Sequence, residues 1–292
     1  MVTGCQYFST CDGGGGGEAA HFCAGGRLVQ PQIEFATAAL AQGYAVFSLD
    51  ATTDVVTDQH GRVCGKRFDF SMLSRQNIDL PYLETILTDV IPARRSASSS
   101  TAIFMTGLST GGYMTTRAST HFDDLITAFA PVSSGDPYGT DTDCNPALSP
   151  RKSAKGILMD RETQQEITHG NACRSPAYTN ESQWESAGGS PPPRFKQFFH
   201  EDDGIVDISC MHKTTALLEQ HGHENAGVFL IEERGEKNAL KHLWDRRYNQ
   251  PMLDFFAASG SGERPASGRK RMRRSWWPFG RSLRNAARRL GW

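Results

Sequence analysis

Thr101–Ser119 reads TAIFMTGLSTGGYMTTRAS, an apolar run followed by Gly107-Leu108-Ser109-Thr110-Gly111 and then by a stretch with helical potential. Ile103, Phe104 and Met105 predict a buried strand, and the glycines on either side of Ser109 predict a sharp turn from strand into helix. That turn is a nucleophile elbow. A serine there occupies a strained backbone position with its hydroxyl presented outward, and side chains at Gly107 and Gly111 would clash with neighbouring backbone. The N–H groups that open the next helix point at the same place and stabilise developing negative charge. A bare G-x-S-x-G match is common by chance; the preceding strand and an additional glycine, Gly112, give this one its context.

On the N-terminal side, Asn77–Ile91 predicts a helix, with Pro81 in its first turn and Pro92 after its end. Gln32–Gln42 predicts an Ala-rich helix closed by Gly43, and Tyr44–Leu49 a strand ending at Asp50. Thr52–Phe70, with the basic-aromatic patch Gly65-Lys66-Arg67-Phe68, reads as a surface excursion. Before the first helix lies His21-Phe22-Cys23-Ala24-Gly25-Gly26. In a βαβ unit of this kind, the loop after the first strand supplies a second oxyanion N–H, which makes Phe22–Ala24 the candidates; the alternative is an ordinary Gly-rich loop. Residues 1–20, with the run Gly13–Gly17, read as a flexible segment that lacks both the basic and the apolar regions of a signal peptide.

On the C-terminal side, Leu125–Val132 is a short apolar run followed by Ser133-Ser134-Gly135-Asp136, placed at the active-site edge of a parallel sheet. Residues 137–193 are polar and rich in Pro, Gly, Ser and Asn, the composition of a lid-like or substrate-binding insertion. Regular structure resumes with a strand at Arg194–Phe199, a helix at Ser209–His221 closed by Gly222, and a strand at Gly227–Ile231. His242-Leu243-Trp244 opens a last helix ending near Phe256. The fold class expected is α/β: a mostly parallel central sheet with helices on both faces, in a domain spanning 21–258, followed by a tail at 259–292.

A serine alone is a poor nucleophile and needs a histidine base oriented by a carboxylate. In the α/β-hydrolase order the acid follows a late strand and the histidine follows the final one. Asp203 follows the strand at 194–199 and His242 the strand at 227–231, so both fit; Asp202 and Asp207 are the rival acids. Among rival bases, His212 and His221 lie within or at the end of a helix, and His223 lies before the last strand, at its wrong end.

These segments resemble a known group. GLSTGGYM (107–114) is similar to the G-L-S-x-G-G-x-M elbow of polyhydroxyalkanoate depolymerases and of feruloyl and acetylxylan esterases. HEDDGIV (200–206) resembles their H-G-x-x-D-x-x-V acid loop, KHLW (241–244) their G-H-x-W base loop, and His21–Gly26 their His-Gly-Cys oxyanion loop. The resemblance, over about residues 21–256, implies an α/β-hydrolase with Ser109 as nucleophile, Asp203 as acid and His242 as base. It also implies an oxyanion hole from backbone N–H of Thr110 with Phe22 or Cys23. The acid loop is one residue shorter, with Glu201 at the usual glycine, which keeps Asp202 open as the acid. Phe22 and Lys241 replace two further glycines. The group is usually exported, whereas no export signal is visible here. The reaction expected is ester hydrolysis without cofactor or metal, on polyester, feruloyl-sugar or acetyl-sugar esters. The alternatives are a serine peptidase of the same fold or a catalytically silent binding protein.

The net charge of −1 conceals an asymmetry: 10 of the 31 basic residues, and none of the 32 acidic ones, lie from Arg264 onward. Three of the five tryptophans, Trp276, Trp277 and Trp292, lie in that tail, a mixture suited to an anionic membrane or polymer surface, with nucleic acid or simple disorder as alternatives. Of the seven cysteines, Cys5, Cys11 and Cys23 with His21 match none of the usual paired-ligand zinc spacings. Cys144 and Cys173 are candidates for a bridge within the insertion, closing a loop of about 30 residues and stabilising by about 3 kcal/mol; two free thiols are the alternative.

Overall fold

A computed structural model of the chain describes residues 30–49, 68, 77, 79–95, 100–137, 151–152, 158–159, 191–204, 206–233, 235 and 239–261. Phe22 and Cys23, the excursion apart from Phe68, Cys144 and Cys173, and the basic tail lie outside the described residues.

The described strands are β1 (Phe104–Leu108), β2 (Ala128–Val132), the two-residue β3 (Arg151–Lys152) and β4 (Leu158–Met159), β5 (Arg194–His200) and β6 (Asn225–Ile231). β1, β2, β5 and β6 lie side by side in that order and all run parallel, while β3 and β4 pair separately. Register runs from Phe104 opposite Ala128 to Leu108 opposite Val132, so the residues after β1 and β2 are lateral neighbours at one sheet edge.

Strand side chains alternate between faces, and here both faces are apolar, the pattern of a parallel sheet covered on two sides. Met105, Phe129, Phe195 and Phe199 pack with Tyr113 and Met114 of α4 (Thr110–His121) and with Cys210 and Met211 of α5 (Ile208–Gln220). Leu108, Ala128, Ala130, Val132 and Phe198 pack the opposite way, against Phe35 and against Met252 and Phe256. Phe35 belongs to α1 (Gln30–Ala41) and the latter two to α6 (Asn249–Gly260), where Phe256 stacks on Phe104 at 4.9 Å between centroids. Gln197, buried on β5, donates to Met211 O at 3.1 Å and to Thr215 Oγ1 at 2.7 Å, which ties the strand to α5.

Helix α4 is buried from Thr110 through Thr120 despite its Thr, Ser and Gly content. Small residues are what allow such a helix to approach the sheet closely. A Cβ at Gly112 would lie 2.7 Å from Ser134 Oγ, 2.8 Å from Ser134 Cβ and 2.8 Å from Val132 O.

Three sequence expectations are corrected. Tyr44–Leu49 is not a strand; only Leu49 forms a bridge. Its apolar residues instead lie on the core, with the Tyr44 ring edge-on to Phe104 at 5.9 Å, so the apolar pattern reports packing rather than a ladder. The helix expected at Asn77–Ile91 begins at Leu80, because Asn77 Oδ1 accepts the N–H groups of Asp79 and Leu80 at 2.9 and 2.8 Å. It also passes Pro92: α2 (Leu80–Thr85) continues through a π-helical turn, Ile86–Val90, into α3 (Ile91–Arg94). The wider turn, in which Ile91 N–H reaches Ile86 O, accommodates a proline that lacks an N–H and would collide with the carbonyl four residues earlier. The last helix starts at Asn249 rather than at His242, and His242 ends a 3₁₀ turn, Ala239–His242. Asp245 interrupts the path by capping a second 3₁₀ turn, Arg246–Tyr248, and Pro251 is tolerated because it falls in the first turn of α6.

Candidate active site

Parallel strands bring their C-terminal ends to one edge, where loops converge. Ser109 follows β1, Asp203 lies three residues beyond β5, and His242 follows β6, so all three stand at that edge.

Ser109 has φ 54° and ψ −120°, a conformation an L-residue rarely adopts and that costs on the order of 1–3 kcal/mol. Both of its peptide groups are held: its N–H donates to Val132 O at 3.0 Å, and its carbonyl accepts from Tyr113 N–H at 2.9 Å. Strand pairing on one side and the start of α4 on the other therefore maintain the strain. Thr110 is the first residue of that helix, whose opening N–H groups have no acceptor within the helix.

Asp203 and His242 are brought together. Both are buried, and His242 Nδ1 donates to Asp203 Oδ2 at 2.8 Å. A carboxylate only accepts, so the ring proton sits on Nδ1 and the Nε2 lone pair is left as the basic site. Asp203 Oδ1 accepts from Val206 N–H at 2.9 Å, which sets the carboxylate plane.

The rival residues have other partners. Asp202 Oδ2 takes the Lys241 ammonium at 2.8 Å. Asp207 caps α5, its Oδ1 accepting from Ser209 N–H at 2.9 Å. His212 and His221 are exposed. His223 is buried but precedes β6, where its Nδ1–H donates to Pro193 O at 2.8 Å, away from the site edge.

Three features here carry geometry that the sequence does not show. Ser133 directly follows β2, as Ser109 follows β1, and also has positive φ, 47°. It is fully buried, its N–H donates to Phe198 O at 3.0 Å, and its Oγ has no hydrogen-bond partner among the described residues. The only sequence signal was its offset after β2, matching that of Ser109 after β1. Trp244 anchors the base loop: its indole N–H donates to Asn249 Oδ1 at 2.8 Å and its ring meets Phe35 at 5.4 Å, while Asn249 reaches back to Pro31 O at 3.1 Å.

The third is a polar network behind the base loop. Asp202 N–H donates to His200 Nδ1 at 3.2 Å, so the His200 proton is on Nε2, which faces Glu233 Oε2 at 3.4 Å. Arg247 pairs with both Glu233 and Asp245. Its hydrogen bonds hold both carboxyls below their ordinary range, with His200 adding to the effect on Glu233. Burial raises the Tyr248 phenol. A cavity of about 220 Å³ adjoins this network, lined by Lys241 and Trp244 among others.

Among the described residues, no group of His, Cys, Asp or Glu is arranged to hold a metal, and no helix is long and apolar enough to cross a membrane.

No protein-family model matches the sequence, and no curated protein matches it. Solved structures resemble it in part. A variant of SOBER1 from Arabidopsis thaliana has a TM-score of 0.48 at 14% identity, covering 78% of this chain and 90% of that one. A thermostable esterase has a TM-score of 0.35 at 15% identity, over 61% of this chain and 36% of that one. The acylaminoacyl peptidase of Pyrococcus horikoshii has a TM-score of 0.42 at 14% identity, over 66% and 30%. The parallel sheet covered on both faces, the strained turn after β1, and acid and histidine loops after the last two strands make this an α/β-hydrolase fold.

Proposed function

We propose that the chain is a serine carboxylic-ester hydrolase in which Ser109, His242 and Asp203 act as one unit. The observation that carries this reading is the buried Nδ1–H···Oδ2 bond of 2.8 Å between His242 and Asp203, at the sheet edge where Ser109 sits in its strained turn. Asp203 holds the imidazole in the tautomer with a basic Nε2. Nε2 takes the Ser109 proton as Oγ attacks the ester carbonyl, and the imidazolium is stabilised by Asp203. The tetrahedral oxyanion is met by the N–H of Thr110 together with that of Phe22 or Cys23. Collapse expels the alcohol, which takes the proton from Nε2, and leaves an acyl-Ser109 ester. Water, deprotonated by Nε2, then attacks the acyl carbon; the bond to Ser109 Oγ breaks, the carboxylic acid leaves, and the proton on Nε2 passes to Oγ to return the serine.

The elbow, acid-loop and base-loop motifs make polyester or acylated-carbohydrate esters the substrate class, in the manner of the depolymerase and feruloyl or acetylxylan esterase group. The test is turnover of p-nitrophenyl acetate. Ser109→Ala or His242→Ala should lower it on the order of 10⁴-fold. Asp203→Asn should lower it far more than Asp202→Asn does. Turnover that survives Ser109→Ala, or the reverse ranking of the two aspartates, would overturn the assignment concerned.

A further inference from the structure

The acid loop and the base loop meet through two consecutive contacts in register. Asp203 takes His242 and Asp202 takes Lys241, each at 2.8 Å. The first contact belongs to the triad; the second has no chemical part in it. The Lys241 and Asp202 side chains are nonetheless only 17% and 16% exposed, which sets this pair apart from an ordinary solvated one. Gly235, in the loop after β6, lies against it: a Cβ there would stand 3.2 Å from Lys241 Nζ and 3.9 Å from Asp202 Oδ2. Asp202 is itself fixed from behind, since its N–H donates to His200 Nδ1.

Lys241 and His242 are successive residues of a 3₁₀ turn, in which neighbouring side chains diverge by about 120°. The Asp203 bond fixes one point of the turn, and Trp244, two residues on, anchors its far end. A second contact between the two loops, on a diverging side chain and to the adjacent residue of the same partner loop, adds a fixed point directly beside the imidazole. We propose that Lys241 and Asp202 are positioning residues, a clamp that sets the orientation of the His242 imidazole without touching substrate. The idea rests on the triad reading above.

Orientation matters because a misplacement of 1 Å costs about 10²-fold in rate, so a swivel of a few tenths of an ångström costs on the order of tenfold. Lys241→Met should therefore lower kcat for p-nitrophenyl acetate about tenfold with KM unchanged, and Lys241→Arg should restore most of it. Asp202→Asn, nearly isosteric and so the safer variant for folding, should match Lys241→Met, and the double variant should be no worse than either single one.

A readout independent of turnover is the downfield proton resonance of His242 Nδ1–H, assigned by its loss in His242→Gln. It should broaden or shift in Lys241→Met and Asp202→Asn and return in Lys241→Arg. An unchanged resonance and unchanged kcat in both Lys241→Met and Asp202→Asn would overturn the clamp while leaving the triad standing. A wild-type protein that shows the resonance and responds in this way but hydrolyses no ester would overturn the esterase reading and keep the clamp.

Discussion

Replacing Gly112 with Ala sets two effects of opposite sign against each other. In a helix interior, Ala is favoured over Gly by about 1 kcal/mol, so propensity alone predicts stabilisation. Packing predicts the reverse. The new Cβ would lie 2.7 Å from Ser134 Oγ, 2.8 Å from Ser134 Cβ and 2.8 Å from Val132 O. The side-chain hydroxyl can move, but Val132 O is backbone at the end of β2, and it accepts the N–H of Ser109 at 3.0 Å. Relief requires α4 to move away from the sheet by roughly half an ångström, and overpacking of this kind costs about 1–3 kcal/mol. The clash should win, with a net loss of up to about 2 kcal/mol, read as a fall in the urea midpoint and in Tm. Because the displaced carbonyl is the one that holds the elbow, kcat should fall with stability. Ser134→Gly in the same chain removes two of the three contacts and should recover part of the loss, leaving the Val132 O contact. A Gly112→Ala protein more stable than wild type, with unchanged turnover, would refute the close approach of α4 to β2.

Trp244→Ala should cost about 3–5 kcal/mol, since it empties a buried site beside Phe35, and should lower turnover through the base loop; Trp244→Phe, which keeps one aromatic ring in the site while losing the bond to Asn249 and part of the buried volume, should cost less, as denaturant unfolding of the two variants would show. Glu233 and Asp245 are held below their ordinary range by Arg247, so their contribution to stability is present above their unfolded values and is lost as pH falls through their folded ones. Melting temperature should accordingly decline below about pH 4, and Arg247→Gln should flatten that decline; equal slopes for the two proteins would contradict it.

The strands and helices that build the site edge were readable because each is a short apolar run or an amphipathic stretch bounded by glycine or proline. The elbow, the helix at 208–220 and the strands at 194–200 and 225–231 are of this kind. Where the reading slipped, the deciding contact was tertiary or geometric. Pro92 ends a regular α-helix but not one that widens into a π turn first. Tyr44–Leu49 has strand composition, and it spends its apolar side chains on the core beside Phe104. At the site, chain order selected Asp203 and His242, but no periodicity separates Asp202 from Asp203. What separates them is that adjacent carboxylates face adjacent residues of the other loop, one an ammonium and one an imidazole. Ser133 was placed at the site edge by sequence, but its backbone strain was hidden, since a positive φ on serine leaves no mark in composition.

The most direct measurement is covalent labelling of the purified chain with a fluorophosphonate, followed by peptide mass mapping. The triad predicts one adduct, on Ser109, absent in Ser109→Ala and formed far more slowly in His242→Ala. Labelling that persists undiminished in Ser109→Ala, an adduct on Ser133 instead, or a folded wild-type protein that takes no label would contradict it.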